Sequence, residues 1–172
     1  MSGYRNFRQI FPLFLKPVIL EIMDCLFCKI ISGSEKSWNI YEDEHHIAFL
    51  TPFPNTPGFT VLVTREHLGS DVLSLDEDRF LDFMKTARTL AMQLNQKLGT
   101  KRTGLVIEGM GIDHAHIKLI PMHGIPDGEW KPILSSVNEF SDEYKGYLTT
   151  HDCPRMSEVE LDHYQRILNA QN

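Results

Sequence analysis

His114-Ala115-His116-Ile117-Lys118-Leu119-Ile120-Pro121 reads as a β-strand that carries two imidazoles and an ammonium along one side. Successive side chains of a strand point to opposite faces, so His114, His116 and Lys118 are expected to share a face while Ala115, Ile117 and Leu119 pack behind them. The polar row suits phosphate oxygens, and a neutral imidazole within it is a competent nucleophile near pH 7.

Working outward, Thr103 to Ile107 reads as a partner strand, joined to the first through Glu108-Gly109-Met110-Gly111-Ile112-Asp113, whose two glycines suit a tight connection. Upstream of it, Phe80, Phe83, Met84, Ala87, Leu90, Ala91, Leu94 and Leu98 recur at three- and four-residue steps, which predicts an amphipathic helix. Ser74 with Glu77 three residues later has the form of a capping box, and Gly99 is placed to end the helix. Asn39 to Asp43, His46 to Leu50 and Phe59 to Thr64 complete the strand candidates. Between the last two, Thr51 to Gly58 must be a loop, because its three prolines remove ladder donors. Cys25 to Ile31 is a short apolar run halted by Ser32-Gly33-Ser34 and is read as a helix of one to two turns. Strands in hairpin-length succession with one long helix inserted indicate an α+β fold built on a largely antiparallel sheet.

The 172 residues suit a single main domain, and 42% hydrophobic content against 23% charge is that of a soluble globular chain with a sizeable core. A net charge of −6 argues against nucleic acid as partner, so a phosphate ligand is expected to be a small molecule held by a few local groups. Three cysteines make no disulfide framework and suit a reducing, cytoplasmic compartment.

Residues 1–23 read as an N-terminal extension. Its run from Ile10 to Ile22 is broken by Pro12, Lys16, Pro17 and Glu21, too short and interrupted for a membrane span. Met23 is a candidate functional start, with an amphipathic packing segment as the alternative. Residues 24–123 form the main domain, and 124–172 are expected to be a C-terminal extension packed on it, helical only over Ser157 to Ala170. His45 and His46 lie in a charged turn and are read as solvated. His151, His163 and Cys153 have no partner pattern, and Trp130 is taken to fold the tail onto the sheet.

The chain resembles the histidine triad family, whose mark is a His-x-His-x-His motif with apolar residues between. Cys25-Leu26-Phe27-Cys28-Lys29-Ile30-Ile31-Ser32-Gly33 is similar to that family's amino-terminal segment. Tyr41-Glu42-Asp43-Glu44 with Ala48-Phe49, then Pro57-Gly58 through Leu62-Val63 to Glu66-His67, are similar to its next strands and turn. The likeness runs over residues 24 to 123 in matching order. It implies a five-stranded antiparallel sheet, a homodimer formed through the long helix, no organic cofactor, and a nucleotide substrate. It also implies a nucleotide hydrolase or nucleotidyl transferase in which the middle histidine, here His116, attacks the α-phosphorus to give a nucleotidyl-histidine. His114 and Lys118 would supply donors to the phosphate. A backbone carbonyl is expected to orient His116, with the Glu108 to Ile112 connection as a candidate source. Leu26, Phe27, Ile30 and Phe49 would wall the nucleobase, although ordinary core packing explains the same four residues as well.

Two positions depart from the family pattern. Lys118 stands where the third histidine usually stands, and an ammonium neutralises a phosphate oxygen but shuttles protons poorly at neutral pH. His123 or water are then alternatives for protonating the leaving group. Thr51 stands where an Asp or Asn commonly clamps the ribose, and a neutral hydroxyl is the weaker acceptor. By the same resemblance, Cys25, Cys28, His67 and His114 would form a Cys2His2 structural zinc site, against the alternatives of a free cysteine pair, a surface His67 and a phosphate-facing His114. The departures at Lys118 and Thr51 keep a second function open, a nucleotide-binding or zinc-stabilised regulator with reduced catalysis. A third, a protein-interaction module, is disfavoured by the directed row of His114, His116 and Lys118.

Overall fold

A computed structural model describes residues 24–127, 133–149, 154–155 and 157–169. The extension over residues 1–23, with Met23, lies outside the described residues, as do Trp130, His151 and Cys153. The chain divides into two compact units, one reaching Pro126 and the other beginning at Asp127.

The first unit runs α1 (Leu26–Ile31), β1 (Trp38–Glu42), β2 (His46–Leu50), β3 (Thr60–Thr64), a 3-10 turn (Val72–Ser74), α2 (Glu77–Leu98), β4 (Thr103–Val106) and β5 (His116–Pro121). The five strands make one sheet in the order β1-β2-β3-β5-β4, every pair antiparallel. The α+β architecture expected from the alternation of elements is therefore present. The β-branched run Thr60-Val61-Leu62-Val63-Thr64 is buried along its whole length, because β3 lies at the centre with both faces covered.

Each face has its own core. Ala48, Leu62, Ala115, Ile117 and Leu119 pack against Phe83, Ala87, Leu90 and Leu94 of α2, the stripe that the helical periodicity marks. On the opposite face, Ile47, Phe49, Val61 and Val63 receive Phe27 and Ile30 of α1 with Cys25. The short helix is thus held by two buried side chains rather than by propensity, which six residues could not provide.

Three local expectations are corrected. The cap of α2 is Asp76, whose carboxylate accepts from the Arg79 amide, while Ser74 is drawn into the 3-10 turn and donates to the Asp71 carbonyl. His46 is not solvated: it opens β2 at 3% exposure, stacked on Phe83 with ring centroids 5.2 Å apart, and lies 3.3 Å from the Thr86 hydroxyl. His45 is exposed, as expected. The third correction is that β5 begins at His116, two residues later than the alternation suggests, which removes His114 from the strand.

At the end of α2, Gly99 takes the left-handed conformation at φ 65°, and its amide bonds to the Asn95 carbonyl. In the second unit, α3 (Glu158–Asn169) matches the expected span closely. Ser157 and Glu160 bond reciprocally at its start, so a capping box forms here and not at Ser74.

Candidate active site and metal cluster

The site is assembled where the front of β5 meets α1 and the segment after β3. His116 stands opposite Val63, and Lys118 stands opposite Val61 and Val106. His116 and Lys118 share a face as the strand period requires, with Ile117 and Leu119 buried behind them. His114 does not join that row, because it sits in the bend ahead of the strand. Its amide bonds to the Ile112 carbonyl, and the following Ala115 amide bonds to the Leu68 carbonyl.

Two anchors hold the bend. Asp113 accepts from the Ser70 amide at 2.9 Å, and the bonds from the Ser70 amide and hydroxyl hold the Asp113 carboxyl below its usual range. Gly109 has φ 67° and passes so close to Ser70 that a Cβ would lie 2.7 Å from the Ser70 carbonyl oxygen. Only glycine meets both conditions.

The consequence is a division of labour between the two histidines. The fully buried His114 ring donates Nε2–H to the Thr64 carbonyl at 2.7 Å, which leaves the Nδ1 lone pair facing Cys25 Sγ at 3.4 Å and Cys28 Sγ at 3.6 Å. His67 Nδ1 lies 3.3 Å from Cys28 Sγ. One ligand atom from each of Cys25, Cys28, His67 and His114 lies within 4.8 Å of all the others. Tetrahedral bonds of ~2.3 Å to sulfur and ~2.0 Å to nitrogen would separate a sulfur from a nitrogen by about 3.5 Å, so the observed spacings fit a closed Cys2His2 set that could hold a metal. The Thr64 carbonyl supplies the outer contact that fixes a metal-binding tautomer. Burial lowers the His114 pKa, favouring the neutral ring, while burial and then the neighbouring Cys25 push the Cys28 thiol up to about 11. Metal binding would therefore displace thiol protons.

His116 is oriented by the chain itself. Its Nδ1–H donates to the His114 carbonyl at 2.8 Å, leaving the Nε2 lone pair free for attack. The expected orienting carbonyl exists, but it belongs to His114 and not to the Glu108 to Ile112 connection. Phe27 links the two histidines, its ring set edge-on to His116 at 5.5 Å and to His114 at 5.8 Å between centroids. Phe27, Ile30 and Phe49 are buried together, and Leu26 is exposed on α1. Thr51 lies at the far end of β2, where its hydroxyl accepts from the Phe53 amide.

A residue that sequence reasoning missed is Glu108, which forms an ion pair with Lys118 and is only 11% exposed. Burial pulls the Lys118 ammonium below its usual range, and the Glu108 carboxylate faces it as an ion-pair partner. Position was the available signal: Glu108 lies two residues beyond Val106, the residue paired with Lys118, and so returns to the same face. His123 Nε2–H donates to the Pro57 carbonyl and is engaged outside this group.

Comparison with known proteins bears on the family and the fold. The Bacillus subtilis protein hit is 33% identical over 109 residues, covering 61% of this chain and 75% of the relative. Adenosine 5′-monophosphoramidase of Saccharomyces cerevisiae is 29% identical over 99 residues, covering 56% of this chain and 61% of the relative. Among solved structures, a hypothetical histidine triad nucleotide-binding protein from Sulfolobus tokodaii superposes with a TM-score of 0.55 at 27% identity, covering 63% of this chain and 78% of the other. A zinc-bound histidine triad family protein from Mycobacterium smegmatis shares the fold with a TM-score of 0.54 at 23% identity, covering 58% of this chain and 76% of the other. Residues 32–127 match the HIT domain, and with a five-stranded antiparallel sheet whose strand β5 opens on His116, the chain belongs to the histidine triad family.

Proposed function

We propose that this protein is a nucleotide hydrolase or nucleotidyl transferase that works at the α-phosphate of a nucleotide derivative through His116. The observation that carries the reading is the bond from His116 Nδ1–H to the His114 carbonyl, which presents the other ring nitrogen as a lone pair in a fixed direction. In the first step the Nε2 lone pair forms a bond to the α-phosphorus as the bond to the leaving group breaks, and that electron pair leaves with the group. In the second, water attacks the same phosphorus, giving up a proton, and the phosphorus–nitrogen bond electrons return to His116. The product is a nucleoside monophosphate, or a transferred nucleotide where another acceptor replaces water.

Lys118 is read as a donor to the phosphate, whereas His114 contributes its carbonyl and keeps its ring toward the cysteines. Leu26, Phe27, Ile30 and Phe49 are read as the nucleobase side and Thr51 as the ribose side. Cys25, Cys28, His67 and His114 are proposed to hold zinc, which would tie α1 to the end of β3 as a structural crosslink. A cytoplasmic location, a small-molecule nucleotide as partner and a homodimer formed through α2 belong to the same proposal. No helix among the described residues is long and apolar enough to cross a membrane.

Rapid quenching with an adenosine phosphoramidate, followed by mass spectrometry of the His116 peptide, tests the reading. It predicts one nucleoside monophosphate on that peptide, and none in His116→Ala together with loss of turnover. Full turnover in His116→Ala would refute it. A second reading, nucleotide binding without turnover, is favoured by Lys118 being ion-paired with Glu108, and it predicts binding with no adduct.

A further inference from the structure

We infer that Glu108 is a specificity-determining residue: by cancelling the charge of Lys118 beside His116, it removes the preference for polyphosphates over single-phosphate substrates that a lone ammonium there would confer. The inference rests on the proposed nucleotide reading of the His116 face and narrows its substrate class.

The charge inventory of that face supports it. Among the residues of the five strands, Lys118 is the one lysine or arginine. The side chains nearest to it and to His116 on the sheet are Val61, Val63 and Val106, which carry no charge. Lys29 of α1 lies toward Asp24, at 3.7 Å. In the cysteine–histidine cluster two thiolates would balance a divalent ion, leaving no surplus positive charge.

Lys118 therefore meets substrate as half of a neutral pair. An ammonium has three donors; with one turned to Glu108, two remain for the oxygens of a single phosphate. A nucleoside phosphoramidate or a nucleoside phosphodiester carries one negative charge at its phosphorus and is matched by those donors. A dinucleoside polyphosphate adds about one charge per further phosphate, and within the ~8 Å screening length the Glu108 carboxylate offsets the attraction of Lys118 for such added charge. No strand-borne cation is present to receive it.

The test is a ladder of affinities for AMP, ADP and ATP, measured by calorimetry in magnesium-free buffer at fixed ionic strength. The wild-type protein is expected to show a flat ladder, all three affinities within about threefold. Glu108→Gln leaves Lys118 uncompensated, and ATP is expected to gain about tenfold over AMP. Lys118→Gln leaves the carboxylate alone, and the order is expected to reverse. The double variant restores neutrality and is expected to return the flat ladder, a result that loss of folding in either single variant would not produce. A wild-type ladder rising tenfold from AMP to ATP, an unchanged ladder in Glu108→Gln, or no binding of any nucleotide would overturn the inference. Adduct formation on His116 is scored separately: a flat ladder without adduct sinks the catalytic reading and keeps Glu108's role, and an adduct with a steep ladder does the reverse.

Discussion

Phe27→Ala separates two duties that its position allows, core member and nucleobase wall. The ring is 6% exposed and touches three other rings, Phe49 at 5.6 Å, His114 at 5.8 Å and His116 at 5.5 Å between centroids. Truncating a phenylalanine at so closed a site removes its transfer free energy and leaves a cavity, about 3–5 kcal/mol together. Against a total stability of roughly 5–15 kcal/mol that is a large share, and it lowers the melting temperature by at least about 10 °C for a domain of this size. Leu26, its neighbour, is 43% exposed, so Leu26→Ala is expected to cost under about 1 kcal/mol. Urea unfolding of the two variants beside the wild-type protein, each saturated with zinc, reads the difference directly. A loss below about 1 kcal/mol in Phe27→Ala, accompanied by a tenfold drop in nucleotide affinity, would show the ring to be a pocket wall and refute the packing argument.

Metal analysis should find one zinc per chain in the wild-type protein and none in the Cys25→Ser/Cys28→Ser double variant; no metal in the wild-type protein would end the zinc proposal. For Asp43, burial alone would raise the carboxyl, but bonds from the Tyr41 hydroxyl and the His45 and His46 amides hold it below the usual carboxylate range. A depressed folded pKa means that Asp43 stabilises the fold fully above its unfolded value, near pH 4, and that this stability is lost as pH falls through the lower folded value. Asp43→Asn should therefore cost about 1–3 kcal/mol at pH 7, with a gap that closes as pH falls through the depressed folded value, and a gap independent of pH in urea titrations would contradict this. Gly109→Ala must pay about 1–2 kcal/mol for its left-handed backbone and then displace Ser70, so zinc affinity should fall as the His114 bend shifts. Unchanged metal affinity would show that the bend is held elsewhere.

Most of the fold is legible from periodicity, because alternation and the three-to-four-residue stripe report which side of an element faces a core. Ala115, Ile117 and Leu119 point where the strand period sends them, and the α2 stripe from Phe83 to Leu94 meets them. Local signals failed where two of them competed. Ser74 and Asp76 both qualify as caps, and the 3-10 turn settles the choice by consuming the Ser74 hydroxyl. His45 and His46 are indistinguishable by neighbours, yet the register that sets His46 opposite Thr64 buries one and leaves the other in water.

By itself the sequence determined the α+β class, the long helix and the set of residues able to do chemistry: two cysteines one turn apart and imidazoles at alternating positions in an apolar frame. Tertiary structure decided what each of those residues faces. His114 and Cys25 are 89 positions apart, and they meet only because the strand starts at His116 and the bend before it is pinned to Leu68 and Ser70. That two-residue shift turns the His114 ring away from the face of His116 and Lys118 and brings its carbonyl to His116. Glu108 likewise meets Lys118 through the pairing of β4 with β5. Side-chain direction within an element follows from local period, whereas the end of an element and its partners depend on hydrogen bonds closed over long stretches of chain.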